Sequence, residues 1–205
     1  MCLLFETIKI FKKEIYNLNY HNQRLNNARN ELFGLKNKIK LEEQIIFPAD
    51  IGNSLYKCRV IYSKGIEKIE FEKYERKNIK SLKLVNSENI DYSYKYFDRS
   101  ELNYLQNARG NCSEIIIVKN RLLSDTTFAN LCFLDDKKWF TPDTPLLKGT
   151  KRQQLLDEGK IHETKIRVKD IYKYEKISLI NAMNDIGNIE LDISSVEIIE
   201  GDYQE

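Results

Sequence analysis

Lys95 is a candidate amine nucleophile. Aromatic residues flank it along the chain at Tyr92, Tyr94, Tyr96 and Phe97. Because apolar surroundings disfavour the charged form of an amine, they would lower the pKa of this lysine and make it a usable nucleophile. The alternative is a surface lysine whose stem lies along the protein while its ammonium stays in water, and the local pattern by itself favours this alternative.

The second candidate is the run Gly149-Thr150-Lys151-Arg152 at the predicted start of a helix. Unpaired backbone N–H groups and the positive end of the helix dipole make such a start a seat for a phosphate. The alternative is an ordinary glycine turn, which a single-glycine signal favours when nothing else accompanies it.

The composition excludes several classes of protein. The chain has 205 residues, and its 33 basic and 31 acidic side chains leave a net charge of +2. We therefore expect neither nucleic acid nor an acidic membrane surface as partner. The hydrophobic share of 41% is sufficient for one or two compact cores. The longest apolar runs are far shorter than the roughly 20 residues that cross a bilayer, and no secretion leader is recognisable.

The four cysteines are widely scattered, at Cys2, Cys58, Cys112 and Cys132. They form no CxxC pair, and no histidine lies near them at metal-ligand spacing. We therefore expect reduced thiols, a cytoplasmic location and no metal site.

The N-terminal part of the chain predicts a small sheet covered by a helix. A strand is expected over residues 3–10, followed by a helix capped by Asn19 and ended by Gly34. Three further strands are expected, at 55–63, 66–72 and 79–85. A hairpin turn at 63–65 joins the first two of them. These elements predict a small N-terminal domain over residues 1–87.

A polar stretch without apolar periodicity predicts a linker at 88–94, followed by a C-terminal domain over 95–205. Many short β stretches in that domain suggest a barrel-like or strongly curved sheet. The predicted elements are a helix at 98–107, strands at 114–118, 121–123, 128–134 and 138–140, a helix at 149–158, and strands at 161–168 and 176–180.

Several groups of residues, taken in their order along the chain, resemble the class IV aminotransferase family. They are Phe5-Glu6-Thr7, Tyr20–Leu25, Lys95–Arg99, Leu123–Leu131, Trp139–Pro142, Leu147–Arg152 and Leu179–Met183. The resemblance runs from about residue 3 to residue 187 with gaps. It implies the cofactor pyridoxal 5'-phosphate (PLP) and a fold-type IV enzyme of the α/β (α+β) class, with a small N-terminal α/β domain and a larger C-terminal barrel-like domain. Active sites of this family form near a dimer interface, so a homodimer is expected.

The resemblance also implies roles for individual residues. Lys95 matches the lysine that holds PLP as a Schiff base and later moves protons. Asp125 stands where the family usually has a glutamate that pairs with the pyridine nitrogen, and it is one methylene shorter. Arg24 matches the arginine that binds the cofactor phosphate. The alternatives are a solvent-facing Arg24 and an Asp125 that only starts a turn.

Backbone N–H groups complete the phosphate seat that the resemblance implies. Those of Thr150 and Lys151 form its second side, and those of Asn181 and Ala182 form a third edge. His21 is expected to help fix the phosphate-binding helix rather than to act as a base.

Three reactions are known in this family: transamination of branched-chain amino acids, transamination of D-amino acids, and elimination of pyruvate from 4-amino-4-deoxychorismate to give 4-aminobenzoate for folate biosynthesis. The lyase is favoured because the Thr7 hydroxyl resembles the one that assists proton traffic there, and because Asn181-Ala182-Met183 resembles the lyase turn. Asn184-Asp185 replaces an Arg-Gly pair, so Arg59 or Arg99 would have to bind a substrate carboxylate. A non-catalytic protein that retains the fold is the alternative from another class.

Overall fold

The computed structural model describes residues 2–198, which form two compact units. The first contains residues 2–76 and Tyr94–Asp98, and the second contains Lys77–Ser93 and residues 99–198. This division places residues 77–87 in the second unit, whereas the sequence analysis assigned them to the N-terminal domain. Met1 and residues 199–205 of the predicted domains lie outside the described residues.

The first unit contains an antiparallel sheet of order β2-β1-β3-β4. Its strands are β1 (Leu4–Phe11), β2 (Glu14–Ile15), β3 (Leu55–Tyr62) and β4 (Ile66–Lys73). From Glu6 onward, buried and half-buried residues alternate along β1, as expected when one face of a strand lies on a core. The hairpin predicted at 63–65 is confirmed, since β3 and β4 pair on either side of it.

A single long helix, α1 (Leu18–Phe33), packs on this sheet. It buries Leu25 and Ala28 and ends at Gly34, whose φ of 68° is the left-handed conformation that glycine adopts at a helix C-terminus. The predicted cap at Asn19 is wrong: Asn17 precedes the helix, and Asn19 lies in its first turn. A short 3-10 helix, Leu41–Glu43, adds Leu41 to the same core.

The strand predicted at 79–85 does not join the first sheet. It forms β5 (Leu82–Asn86), which pairs in parallel with β6 (Glu114–Lys119) in the second unit. β5 pairs in the second unit because its side chains Leu82 and Leu84 are buried in the core of that unit. The complete sheet has the order β13-β5-β6-β7, where β7 is Leu122–Leu123 and β13 is Val196–Glu197.

The second unit also contains a five-stranded sheet of order β10-β9-β8-β11-β12. Its strands are β8 (Asn130–Asp135), β9 (Lys138–Pro142), β10 (Ile161–Thr164), β11 (Lys176–Ile180) and β12 (Glu190–Asp192). β10 lies parallel to β9, and the other neighbours are antiparallel. Side chains of both sheets share one core, among them Ile116, Leu131 and Leu179.

Helices are few in the second unit. They are α2 (Ser100–Gln106), α3 (Thr150–Asp157) and the short 3-10 helices Asn107–Arg109, Val168–Lys173 and Ile193–Ser195. Mixed sheets with few helices are an α+β architecture, which confirms the predicted fold class. Within residues 2–198, no helix has the length and apolar character needed to span a membrane.

Candidate active site

In the first unit, Lys95 lies beside the start of β1. The Phe5 N–H donates to the Lys95 carbonyl (3.0 Å), and the Phe97 N–H donates to the Leu3 carbonyl (2.9 Å). Residues 94–98 therefore lie antiparallel beside the start of β1. This pairing places the Lys95 ammonium nitrogen 4.7 Å from the centre of the Phe5 ring. An apolar ring therefore covers one side of the candidate nucleophile.

The aromatic surroundings of Lys95 differ from those predicted. The Tyr94 and Tyr96 rings pack against each other (5.9 Å between centroids). Phe97 contacts Phe5 edge to face. Successive side chains of an extended segment point to opposite sides, so Tyr94 and Tyr96 lie on the side away from the lysine, whereas Phe97 shares its side. The ring that contacts it, Phe5, comes from a distant part of the chain.

Arg59 approaches the same ring of Phe5. Its guanidinium carbon lies 5.1 Å from the ring centre, and in the antiparallel register Arg59 lies opposite Thr7. Thr7 follows Phe5 by two positions on β1 and thus shares its face. The Arg59 Nε is buried, and within residues 2–198 it has no hydrogen-bond partner. Two cations and a hydroxyl-bearing residue thus lie around one aromatic ring, a setting suited to a carboxylate.

On the other face of β1, a buried ion cluster joins the strand to α1. Glu6 and His21 are fully buried. The Arg24 Nε donates to Glu6 Oε1 (2.9 Å), its Nη2 donates to Glu6 Oε2, and His21 Nδ1 lies 2.6 Å from the same Oε2. Arg24 is therefore not a solvent-facing helix residue: its side chain is only 17% exposed. The bond between Glu6 and His21 joins α1 to β1, the role expected of His21.

The charges of this cluster follow from its burial. Burial acts to raise the pKa of Glu6, but the Arg24 charge and the His21 hydrogen bond outweigh it and lower that pKa to about 2. Burial lowers the pKa of His21. An ionised carboxylate only accepts hydrogen bonds, so a neutral His21 donates its Nδ1–H to Glu6. His21 is therefore a structural partner rather than a base.

A pH-dependent stability follows for Glu6. Because its folded-state pKa of about 2 lies below the ordinary 4.5, its ionised form favours folding by about 3 kcal/mol. This contribution is complete above pH 4.5 and is lost as the pH falls from 4.5 to 2. We expect the difference in the free energy of unfolding between the native protein and Glu6→Gln to shrink from pH 7 to pH 3 in urea titrations. Glu43→Gln, which removes an exposed partner of Lys40, should show no such trend, and a constant difference for Glu6→Gln would contradict the assignment.

In the second unit, Asp125 lies in the loop between β7 and β8 and is 5% exposed. Its Oδ1 accepts from Asn130 Nδ2 (2.9 Å) and its Oδ2 accepts from the Leu147 N–H (3.0 Å). Burial raises the pKa of Asp125 to about 6, although these two hydrogen bonds oppose the rise. The carboxylate is thus ionised at neutral pH and fixed in direction.

The N-terminus of α3 is buried and has no side-chain cap. The helix opens after Gly149, as predicted, and the hydroxyl, ammonium and guanidinium residues of its first turn are all buried: Thr150, Lys151 and Arg152. First-turn N–H groups have no acceptor within their own helix. The Lys151 ammonium pairs with Asp185 Oδ1 (2.5 Å), which ties the first turn to the loop after β11.

The turn at 181–184 presents fewer donors than predicted. The Asn181 N–H donates to the Asn184 carbonyl (3.1 Å), so it is already engaged. The Asn181 side chain shapes the turn, since its Oδ1 accepts from the Met183 N–H (2.9 Å). Of the two predicted donors, Ala182 is therefore the better suited to an external ligand.

Within each unit, the structure brings some of the predicted residues together. Lys95 and Thr7 lie on the Phe5 side of β1, with Arg24 beyond the opposite face. In the second unit, Asp125 contacts the loop that leads into α3. Arg99 belongs to this unit and donates to the Thr127 carbonyl (2.6 Å). Arg59, in the first unit, approaches the same Phe5 ring as Lys95. Phe5, Glu6 and Asn130 appeared in the motifs but received no role of their own.

Comparisons with known proteins identify the family of this chain. The family model for class IV amino-transferases matches residues 3–190. An uncharacterized protein of Haemophilus influenzae is 42% identical over 186 residues, which are 89% of this chain and 98% of that protein.

Solved structures show the same fold. A candidate 4-amino-4-deoxychorismate lyase from Haemophilus somnus 129PT is 34% identical, with a TM-score of 0.84 over 91% of this chain and 98% of that one. The PLP-bound form of a hypothetical aminotransferase from Mycobacterium tuberculosis is 17% identical, with a TM-score of 0.76 over 95% of this chain and 81% of that one. The chain thus belongs to the class IV aminotransferase family, whose members depend on PLP, and is an enzyme of the lyase or aminotransferase type.

Proposed function

We propose that this enzyme is a PLP-dependent 4-amino-4-deoxychorismate lyase, which eliminates pyruvate from its substrate and releases 4-aminobenzoate for folate biosynthesis. The observation that carries the proposal is the arrangement around Phe5, where an amine, a threonine and an arginine with a buried Nε lie on one side of the sheet. The 34% identity with the candidate lyase from Haemophilus somnus supports it.

Within each unit, the residues present offer chemical groups that suit PLP. Its aldehyde requires an amine, for which we assign Lys95, and its pyridine nitrogen requires a carboxylate, for which we assign Asp125. Its phosphate requires cationic and N–H donors, for which we assign the Arg24 guanidinium and the N–H groups of α3 and of the 181–184 turn: Thr150, Lys151 and Ala182. The start of α3 suits a phosphate because it opens on Gly149 and the residues of its first turn, two of them cationic, are buried. When bound, PLP supplies an electron sink for the pair left on the carbon next to the substrate nitrogen.

The chain's own residues handle the protons. In this proposal, the neutral Lys95 amine removes the proton from the substrate carbon that bears nitrogen. The bond between the substrate ring carbon and the enolpyruvyl oxygen then breaks. The Lys95 ammonium returns a proton to the departing enolpyruvyl group, which leaves as pyruvate. The loss of the proton and of the enolpyruvyl group makes the substrate ring aromatic, which drives the reaction forward. Thr7 shares its strand face with Phe5 and is the hydroxyl that we assign to this proton traffic.

We assign the substrate carboxylate to Arg59. The buried Nε groups of Arg59 and Arg99 both lack a protein acceptor within residues 2–198, and unsatisfied buried donors are rare. We choose Arg59 because it approaches the same Phe5 ring as Lys95. Arg59 thereby takes the place of the arginine that is missing from the turn, where Asn184 and Asp185 stand.

Incubation of the PLP-loaded protein with 4-amino-4-deoxychorismate tests the proposal. We expect equal amounts of 4-aminobenzoate and pyruvate, and Thr7→Val should slow their release more than Thr7→Ser does. If a keto acid forms from an amino donor but no 4-aminobenzoate appears, the enzyme is an aminotransferase. If PLP binds but neither product nor a keto acid appears, the lyase proposal is wrong.

We also propose that the enzyme works as a cytoplasmic homodimer. Its four cysteines are free thiols, which agrees with a reducing compartment. Analytical sedimentation of the PLP-saturated protein is expected to give twice the mass of the chain. A fully loaded monomer would contradict the dimer while leaving the chemistry unchanged.

A further inference from the structure

We propose that Asn130 is a positioning residue that sets the distance between the Asp125 carboxylate and the N-terminus of α3. The inference rests on the proposed function, because these are the groups that we assign to the pyridine nitrogen and to the phosphate of PLP. A rigid cofactor requires a fixed separation between the groups at its two ends.

Asn130 closes a ring of three hydrogen bonds within the second unit. Its Nδ2 donates both to Asp125 Oδ1 (2.9 Å) and to the Leu147 carbonyl (2.8 Å), and the Leu147 N–H donates to Asp125 Oδ2 (3.0 Å). Asn130 and Asp125 are each 5% exposed. Water is therefore a poor substitute for these bonds, and the loss of one leaves a buried polar group unsatisfied.

Asn130 also packs directly against the residue that opens α3. A Cβ placed on Gly149 would lie 2.0 Å from Asn130 Oδ1. The backbone of Gly149 has φ −67° and ψ 141°, which any residue can adopt. Glycine is thus required here for space rather than for conformation, and the amide of Asn130 occupies that space.

The two contacts give Asn130 its role. It is the first residue of β8, where it pairs with Ile180 of β11, so the sheet holds its backbone in place. From that support its side chain bonds to the carboxylate on one side and to the loop before α3 on the other. Asp125 and α3 are therefore positioned relative to each other through one amide group.

Asn130→Asp tests this role because it keeps the shape and replaces both donated hydrogen bonds by an acceptor. The measurement is the dissociation constant of PLP, and of pyridoxal, which lacks the phosphate, by absorbance titration of the apo-protein. We expect the PLP constant to rise about 10- to 100-fold, the range for hydrogen bonds to a charged group, and the pyridoxal constant to rise less. A second carboxylate beside Asp125 should also move the pH at which the absorption of bound PLP changes.

Asn103→Asp is the matched control, because it adds the same charge on the exposed side of α2 and should alter neither constant. The unfolding temperature of each apo-protein is measured alongside. Asn130→Ser, which removes the amide without adding a charge, takes the place of Asn130→Asp if that variant does not fold.

A double-mutant cycle tests the packing independently. Gly149→Ala alone should weaken PLP binding, because its new methyl collides with the Asn130 amide. In an Asn130→Ala background the same change should cost much less, so the two effects will not add. Additive effects would overturn the role of Asn130.

Equal losses of PLP and pyridoxal affinity in Asn130→Asp, or no loss of either, would also overturn it. The proposed function fails in a different way: the unmodified protein would then not bind PLP at all, or would bind it without forming 4-aminobenzoate. The outcome for Asn130 is read from binding constants and is therefore separate from the identity of the reaction.

Discussion

Lys95→Ala is expected to lower turnover by at least about 10,000-fold, the upper range for the loss of a proton-transferring group. Alanine removes both the amine that bonds to PLP and the base that moves the substrate proton. The Phe5 ring that covers one side of Lys95 offers no replacement for either role. Arginine at this position would keep the charge but lose the nucleophile, so Lys95→Arg should be equally inactive.

Borohydride reduction followed by peptide mass analysis measures the covalent part of this prediction. In the unmodified protein the mass of the reduced cofactor should be found on the peptide that contains Lys95, and the yellow absorption should disappear. Lys165→Ala is the control, since this lysine is exposed and should keep full labelling. Labelling of Lys95→Ala at another lysine, with activity retained, would show that Lys95 has been assigned wrongly.

Arg59→Met is expected to lower kcat/KM for the acid substrate about 100-fold, mainly through a higher KM. A charged donor that binds a carboxylate in a partly buried site contributes about 3 kcal/mol, which corresponds to that factor. Methionine keeps much of the packing on Phe5 but cannot donate a hydrogen bond. Folding should change little, because the Nε of Arg59 has no acceptor within residues 2–198 to lose.

Lys57→Met provides the matched comparison for Arg59. Lys57 lies two residues before Arg59 on β3, so the two share a strand face, but Lys57 is paired with Glu72 (2.8 Å). Steady-state kinetics of both variants should show the rise in KM for Arg59→Met alone. If both variants raise KM equally, the effect comes from the general positive charge of the face, and Arg59 has no specific contact.

Local sequence signals were sufficient for most elements. β1, α1, β3, β4, α3 and β11 lie within one to two residues of their predicted bounds, because alternation and helical spacing depend on neighbouring residues. β5 was assigned to the wrong sheet, since a short apolar strand carries no mark of its partner. Its parallel pairing with β6, in which Leu82 lies opposite Glu114, is decided by the core in which Leu82 and Leu84 are buried.

The candidate site shows the same division. The order of motifs along the chain was enough to select Lys95, Arg24 and Asp125, and the family match over residues 3–190 confirms the resemblance on which they rest. The side chains that surround Lys95, Arg24 and Asp125 could not be predicted from the order of the motifs. Tyr94 and Tyr96, next to Lys95 in the sequence, point away from it because adjacent side chains of an extended segment alternate, and the Phe5 ring that Lys95 approaches belongs to β1.

The sequence by itself determined the family, the element types and the identity of the candidate nucleophile, because these depend on local patterns and on the order of motifs. Only the tertiary structure decided what each group faces. It placed Phe5 against Lys95, closed Glu6, His21 and Arg24 into one buried cluster, and joined Asp125 to α3 through Asn130. Such contacts join residues far apart in the chain, and packing and desolvation, which act on the folded molecule as a whole, select them.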